Sequence, residues 1–309
     1  MSSDDGLRPI DVDPHTRRKP AHDDNFVNFS DNWKHYENRL VLFLGAGASV
    51  GARNHMGNPL PTAFHMRNGL WQQFMTPDGT KFEPESIGLV SLEHAAALVE
   101  RSAGRDALMR YVVDYFQTAA PLWQHAVLPY LKPKAIFTTN YDNLIEAGWR
   151  LHGSAEGIGD FRLYYRHEDP DQSRAVPLYK PHGTIDCAKK QIGDGGLVLT
   201  QFDYLTMLDV RRSALKKCLQ SLDSACVLFI GYSFQDFDIA SELFGMRNPN
   251  HRRAIPWYAV FPRNDTNVRA MYDERYGIRQ INRTFLDFMA DLDDTQAFIP
   301  KTRYTSLYS

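Results

Sequence analysis

Four short segments share one form: an apolar, β-like run that gives way to a polar loop of small residues. They are VLFLGAGAS (41–49), IFTTNYD (136–142), LYKPHG (178–183) and VLFIGYSFQDFD (227–238). In an open parallel sheet the loops after the carboxyl ends of the strands converge on one crevice. Four such endings therefore predict a single site assembled from distant stretches of chain.

The spaces between these segments fix the fold class. Helical periodicity is expected over 62–74, opened by Pro61, and over 92–116, where Ala95, Leu98, Val99, Leu108, Tyr111, Val112 and Tyr115 recur at helical spacing. These stretches predict a helical insert at about 52–130, set over the crevice as a small subdomain or lid. The 151–176 stretch is rich in Gly, Asp and Arg, and GDGG at 193–196 marks a turn. WYAVF at 257–261 reads as a late strand, 267–275 as a helix ahead of GIRQI, and 287–294 as a short acidic helix. Alternating strand and helix argue for an α/β fold. The expected main domain is 29–290. It is flanked by a flexible arm at 1–28, which is poor in large apolar groups, and by a tail at 291–309 outside the core.

Composition removes several function classes. The net charge of -2, with basic residues scattered or in short helix-face clusters, predicts no direct nucleic-acid surface. Cys187, Cys218 and Cys226 are too few and too irregularly spaced for a zinc module or a disulfide framework, so no metal is expected. No apolar stretch approaches the length of a membrane span or of a secretory leader, which predicts a cytoplasmic protein with no membrane partner.

Each loop supports a chemical and a structural reading. Gly45, Gly47 and Ser49 stand where a strand gives way to an expected helix. Such a turn allows close backbone approach to a phosphate, or it merely joins two elements. Val50 holds the last fingerprint position, with Gly51 one place late, so an ordinary dehydrogenase fits poorly. Asn140 can donate and accept together, which suits a ribose hydroxyl or a positioned water. Asp142 beside it can hold a carboxamide or orient the amide, and an Asx cap on the following helix is the plainer alternative. His182, between Pro181 and Gly183, titrates near neutrality in the reference state and suits a general base. Ser233 can bond a ribose or phosphate, whereas Asp236 and Asp238 read as helix caps.

In this order, GAGAS, TTNYD, KPHG and GYSFQDFD resemble the sirtuin-like family, in particular its bacterial, zinc-lacking branch that hydrolyses NAD in anti-phage defence. The resemblance runs from about 41 to 238. It implies a Rossmann-like parallel sheet with helices on both faces and a helical subdomain. It also implies NAD as substrate, with Gly45, Ala46, Gly47 and Ser49 on the pyrophosphate and adjacent ribose, and Gly231 and Ser233 on the adenosine half. Asn140 would meet the nicotinamide ribose and position water, Asp142 would lie near the carboxamide, and His182 would act on the ribose hydroxyls. Thr139 stands where deacetylating members carry Gln, and their paired cysteines are absent, which disfavours a protein deacylase. A non-catalytic NAD or ADP-ribose sensor is the other alternative.

An ungated NAD hydrolase would harm its host. With little chain beyond the expected core for a sensor, regulation in trans is expected. It would act through a homo-oligomer or a neighbouring protein such as a DNA-translocating ATPase or an Argonaute-like protein. The arm and the residues after Asp287 are the expected docking segments.

Overall fold

The computed structural model describes residues 17, 19–76, 80, 83–118, 120–151, 159–165, 175–207, 219, 222, 225–234, 239, 241–243, 255–262 and 266–300. Among the described residues, seven strands form one sheet: β1 (Leu40–Leu44), β2 (Ala135–Thr138), β3 (Phe161–Tyr164), β4 (Val176–Tyr179), β5 (Cys226–Ile230), β6 (Trp257–Val260) and β7 (Ile278–Ile281). Their spatial order is β3-β4-β2-β1-β5-β6-β7, and every pairing is parallel. The chain adds β2, β3 and β4 on one side of β1, then crosses to the other side for β5. The order thus reverses at β1, and the crevice of such a sheet opens at that reversal. The four sequence segments lie on four adjacent strands, β4, β2, β1 and β5.

The central strands are apolar throughout because both faces are covered. Leu40, Leu42 and Leu44 of β1 enter one core, while Val41 and Phe43 enter the other. The first core is roofed by α1 (Asp24–Asp31), α2 (Trp33–Tyr36), α6 (Trp123–Ala126), α7 (Leu144–Arg150) and the last helix, α9 (Phe285–Gln296). The second takes residues from 219–243 and from α8 (Thr266–Tyr276). The fold is α/β with helices on both faces, as the alternation predicted.

The insert between β1 and β2 has a core of its own. Met66 and Leu70 of α3 (Ala63–Phe74), Ala96 and Val99 of α4 (Leu92–Ala103), and Leu108 and Val112 of α5 (Arg105–Phe116) pack with Ile185, Leu197 and Leu199 from beyond β4. The helix expected across 92–116 is two helices. Gly104, at φ +86°, lies in a region closed to most side chains and breaks the run. Strand β3 was not expected in the polar 151–176 stretch; it is an edge strand, where apolar character is not required.

Both expected outer boundaries fall inside helices. Residues 1–16 and 18 of the arm and 301–309 of the tail lie outside the described residues. Helix α1, however, crosses position 28, with Phe26 and Phe29 against Phe288 at ring distances of 6.0 and 5.4 Å. Asp23 caps that helix through Asn25 N and Phe26 N, and its other oxygen accepts Asn282 N at 2.8 Å. Two phenylalanines three apart supply the apolar stripe that the arm's average composition conceals. Likewise α9 crosses position 290, and Ile299 is buried in the first core, so that core extends into the expected tail.

Candidate functional site

The loop after β1 does not begin a long helix. Residues Ala46–Ser49 make a single 3-10 turn, and the next helix starts only at Ala63. This corrects the expected helix terminus beneath a phosphate, because one short turn carries little macrodipole. The amides of Gly45 and Gly47 are committed within the protein, donating at 2.9 Å to Ile230 O and Gly231 O. A Cβ on Gly45 would stand 2.6 Å from Tyr232 Cα, and one on Gly47 would stand 2.7 Å from Gly231 Cα. The glycines therefore let the loops after β1 and β5 lie backbone against backbone across the switch point.

The loop after β2 is tied to the same turn by side chains. Asn140 Nδ2 donates to Gly45 O and to Ser49 Oγ, each at 3.0 Å. Ser49 Oγ donates in turn to Asp142 Oδ2 at 2.8 Å. Asp142 Oδ1 accepts Leu144 N at 3.1 Å, so the Asx turn and the site contact coexist in one carboxylate. Both hydrogens of the Asn140 amide nitrogen are directed to protein acceptors, which leaves Oδ1 as the atom by which Asn140 meets water or a ligand. Asn140 is half-buried, whereas Ser49 and Asp142 are buried.

His182 follows β4 at the same end of the sheet. Its carbonyl accepts Val198 N at 3.0 Å, and its buried ring meets the Tyr204 ring edge-on at 5.4 Å. Tyr141 donates to Val198 O at 2.6 Å, so this segment also touches the β2 loop. Arg105 at the start of α5 bonds Asp203 Oδ2 at 2.8 Å and Leu197 O at 2.9 Å, joining the helical insert to the segment that walls His182. Ala46 and Ser233 are exposed at the rim, and Asp236 and Asp238 lie outside the described residues.

Two residues absent from the expected set belong beneath the site. Lys180, wholly buried, donates to the Asp142 carbonyl at 2.5 Å and to Glu146 Oε1 at 2.9 Å. A lysine directly after an apolar strand was the available signal. Among the described residues, no group of three or more His, Cys, Asp or Glu side chains is placed to hold a metal ion.

A family model, the SIR2-like domain, matches residues 134–281. The match covers β2 to β7, and with them the Asn140, His182 and Gly231 loops, while the GAGAS turn and the insert precede it. The chain is 28% identical over 209 residues to a protein named NAD(+) hydrolase ThsA from Cytobacillus dafuensis, covering 66% of this chain and 37% of that one. It is 24% identical over 257 residues to NAD(+) hydrolase ThsA from Acinetobacter baumannii (strain 532279), covering 81% and 48%. The chain thus spans less than half the length of these curated relatives. A structure solved for "Structural Basis for the Mechanism and Regulation of Sir2 Enzymes" superposes with a TM-score of 0.49 at 13% identity, covering 89% of this chain and 98% of that one. Among the described residues, no helix is long and apolar enough to cross a membrane.

Proposed function

We propose that this chain hydrolyses NAD to nicotinamide and ADP-ribose. The observation that carries the reading is the bonded chain from Gly45 through Asn140 and Ser49 to Asp142, set at the sheet's switch point with His182 on the neighbouring loop. The names of the relatives support the same chemistry. Breaking the N-glycosidic bond sends the bonding pair to nicotinamide and leaves C1′ of the ribose electron-poor; water then attacks that carbon. Such a reaction gains most from charge stabilisation and from a held water, both of which a preorganised polar loop supplies.

Asn140 Oδ1 would orient the attacking water beside the nicotinamide ribose, and His182 would take up a proton from a ribose hydroxyl or from the water. Asp142 would lie near the carboxamide while fixing Ser49, and through it Asn140. Since the amides of Gly45 and Gly47 are committed to the carbonyls of Ile230 and Gly231, phosphate contact on this turn would run through Ala46 and Ser49. Gly231 and Ser233 would border the adenosine half. We infer further that the activity is gated, as an NAD-depleting effector of anti-phage defence, by self-assembly or by an activating partner protein.

The test is release of nicotinamide and ADP-ribose from NAD by purified protein across a concentration series, beside Asn140→Ala and His182→Ala. Release by wild type and its loss in both variants is the expected result. NAD binding without release at every concentration, and with the neighbouring-gene protein added, would favour a sensor instead.

A further inference from the structure

The loop that carries Asn140 is held from below by a buried cation. Lys180 and Glu146 are both 0% exposed, and their Nζ–Oε1 distance is 2.9 Å. Glu146 Oε2 is also buried, with no hydrogen bond among the described residues. Taking two charges out of water costs several kcal/mol per ion, and an apolar pair of similar volume usually serves stability as well or better. What an apolar pair cannot supply is a donor for the Asp142 carbonyl, which Lys180 Nζ bonds.

We propose that Lys180 and Glu146 are positioning residues for the Asn140 loop. Asp142 is gripped at three points: its carbonyl by Lys180, Oδ2 by Ser49 and Oδ1 by Leu144 N. Lys180 is itself anchored, its amide donating to Tyr164 O of β3 and its carbonyl accepting Gly183 N, both at 2.9 Å. One side chain therefore sets the loop after β2 relative to the loop bearing His182, two residues along the chain. Glu146, in the first turn of α7, supplies the counter-charge that keeps the ammonium buried and aimed. What is positioned rests on the hydrolase reading; that the Asn140 loop is positioned does not.

The experiment compares wild type, Lys180→Met and the double variant Lys180→Met/Glu146→Leu by thermal unfolding, NAD turnover and hydrogen exchange. Lys180→Met alone leaves a buried carboxylate unpaired and lowers the melting temperature. The double variant recovers the melting temperature, yet kcat stays at least tenfold down with KM within threefold. Its peptides over 139–144 exchange at least tenfold faster while β1 and β5 keep their protection. Wild-type turnover and protection in the double variant would overturn the proposal and leave a merely structural pair. If the double variant does not fold, isosteric Glu146→Gln decides: a threefold or greater loss of both kcat and protection over 139–144 is expected, and unaltered values overturn the proposal. If wild type releases no nicotinamide at any concentration, or with the neighbouring-gene protein added, the hydrolase reading falls and exchange alone decides the positioning role.

Discussion

Asn140 Nδ2 donates to the carbonyl of Gly45 at 3.0 Å, and because a carbonyl only accepts, that contact fixes which way the amide faces. The second amide hydrogen goes to Ser49 Oγ, whose own hydrogen goes to Asp142. Donor and acceptor roles are thus set along the whole chain of bonds, and the Asn140 oxygen is turned away from it.

Asn140→Asp tests that polarity. The substitution is nearly isosteric, but it sets a carboxylate oxygen against the Gly45 carbonyl and removes the donor to Ser49. Loss of two hydrogen bonds at a half-buried site is expected to lower stability by about 1–2 kcal/mol. NAD hydrolysis should fall on the order of 100-fold or more, as when an oriented polar group is removed from a reacting centre. Urea unfolding and nicotinamide release measure the two effects, and an active Asn140→Asp protein would remove Asn140 from the mechanism.

Gly231→Ala tests the seam between the loops after β1 and β5. Gly231 has φ +60°, and a Cβ there would run into the backbone of Gly47 and Ala48. Gly57, at φ +81°, has nothing within 4 Å of the same position, so Gly57→Ala isolates the dihedral strain. That strain is worth roughly 1 kcal/mol. Gly231→Ala is expected to cost at least about 2 kcal/mol more and to weaken NAD binding, whereas Gly57→Ala leaves binding unaltered. Equal costs in chemical unfolding would mean that the two loops separate freely.

Arg105→Gln tests the tie between the helical insert and the wall of His182. The pair with Asp203 is partly exposed, at 32% and 11%, so its loss should cost only about 1 kcal/mol of stability. Asp203 also accepts Leu199 N and Thr200 N, and these bonds survive the substitution. Turnover is expected to fall by more than stability does, several-fold, because Tyr204 loses one support of its place against the His182 ring. Unaltered kinetics would show that the segment holds its position without the insert.

The sheet was legible because four strand-to-loop transitions carry apolar runs with β-branched and aromatic residues, and these became four neighbouring strands. What the sequence concealed is mostly what contacts decide. Gly45 and Gly47 read as a phosphate turn, yet their closeness to Gly231 is a long-range fact that no local pattern contains. Lys180 and Glu146 are 34 residues apart and both charged, so pattern reading sends them to the surface. Phe26 and Phe29 sit in a polar stretch whose average hides two core anchors. His125 gave no signal, because its significance comes from burial alone.

That histidine sets a pH dependence. His125 is 1% exposed, its ring edge-on to Phe285 at 5.4 Å, and Nδ1 has no hydrogen-bond partner among the described residues. Burial pushes its pKa down to about 4, against the opposing pull of the Asp142 charge. In the unfolded chain a histidine titrates near ~6.5, so between these values the unfolded state binds a proton that the folded state refuses. The stabilisation is therefore complete above about pH 6.5 and is lost as pH falls through about 4. From pH 7 to pH 5 this group should cost the fold about 2 kcal/mol. Urea unfolding of wild type and His125→Leu at both pH values separates it from the carboxylates, whose contribution the two proteins share. The variant should lose about 2 kcal/mol less across the interval. Equal losses would mean that the ring is protonated, or reached by water, inside the folded protein.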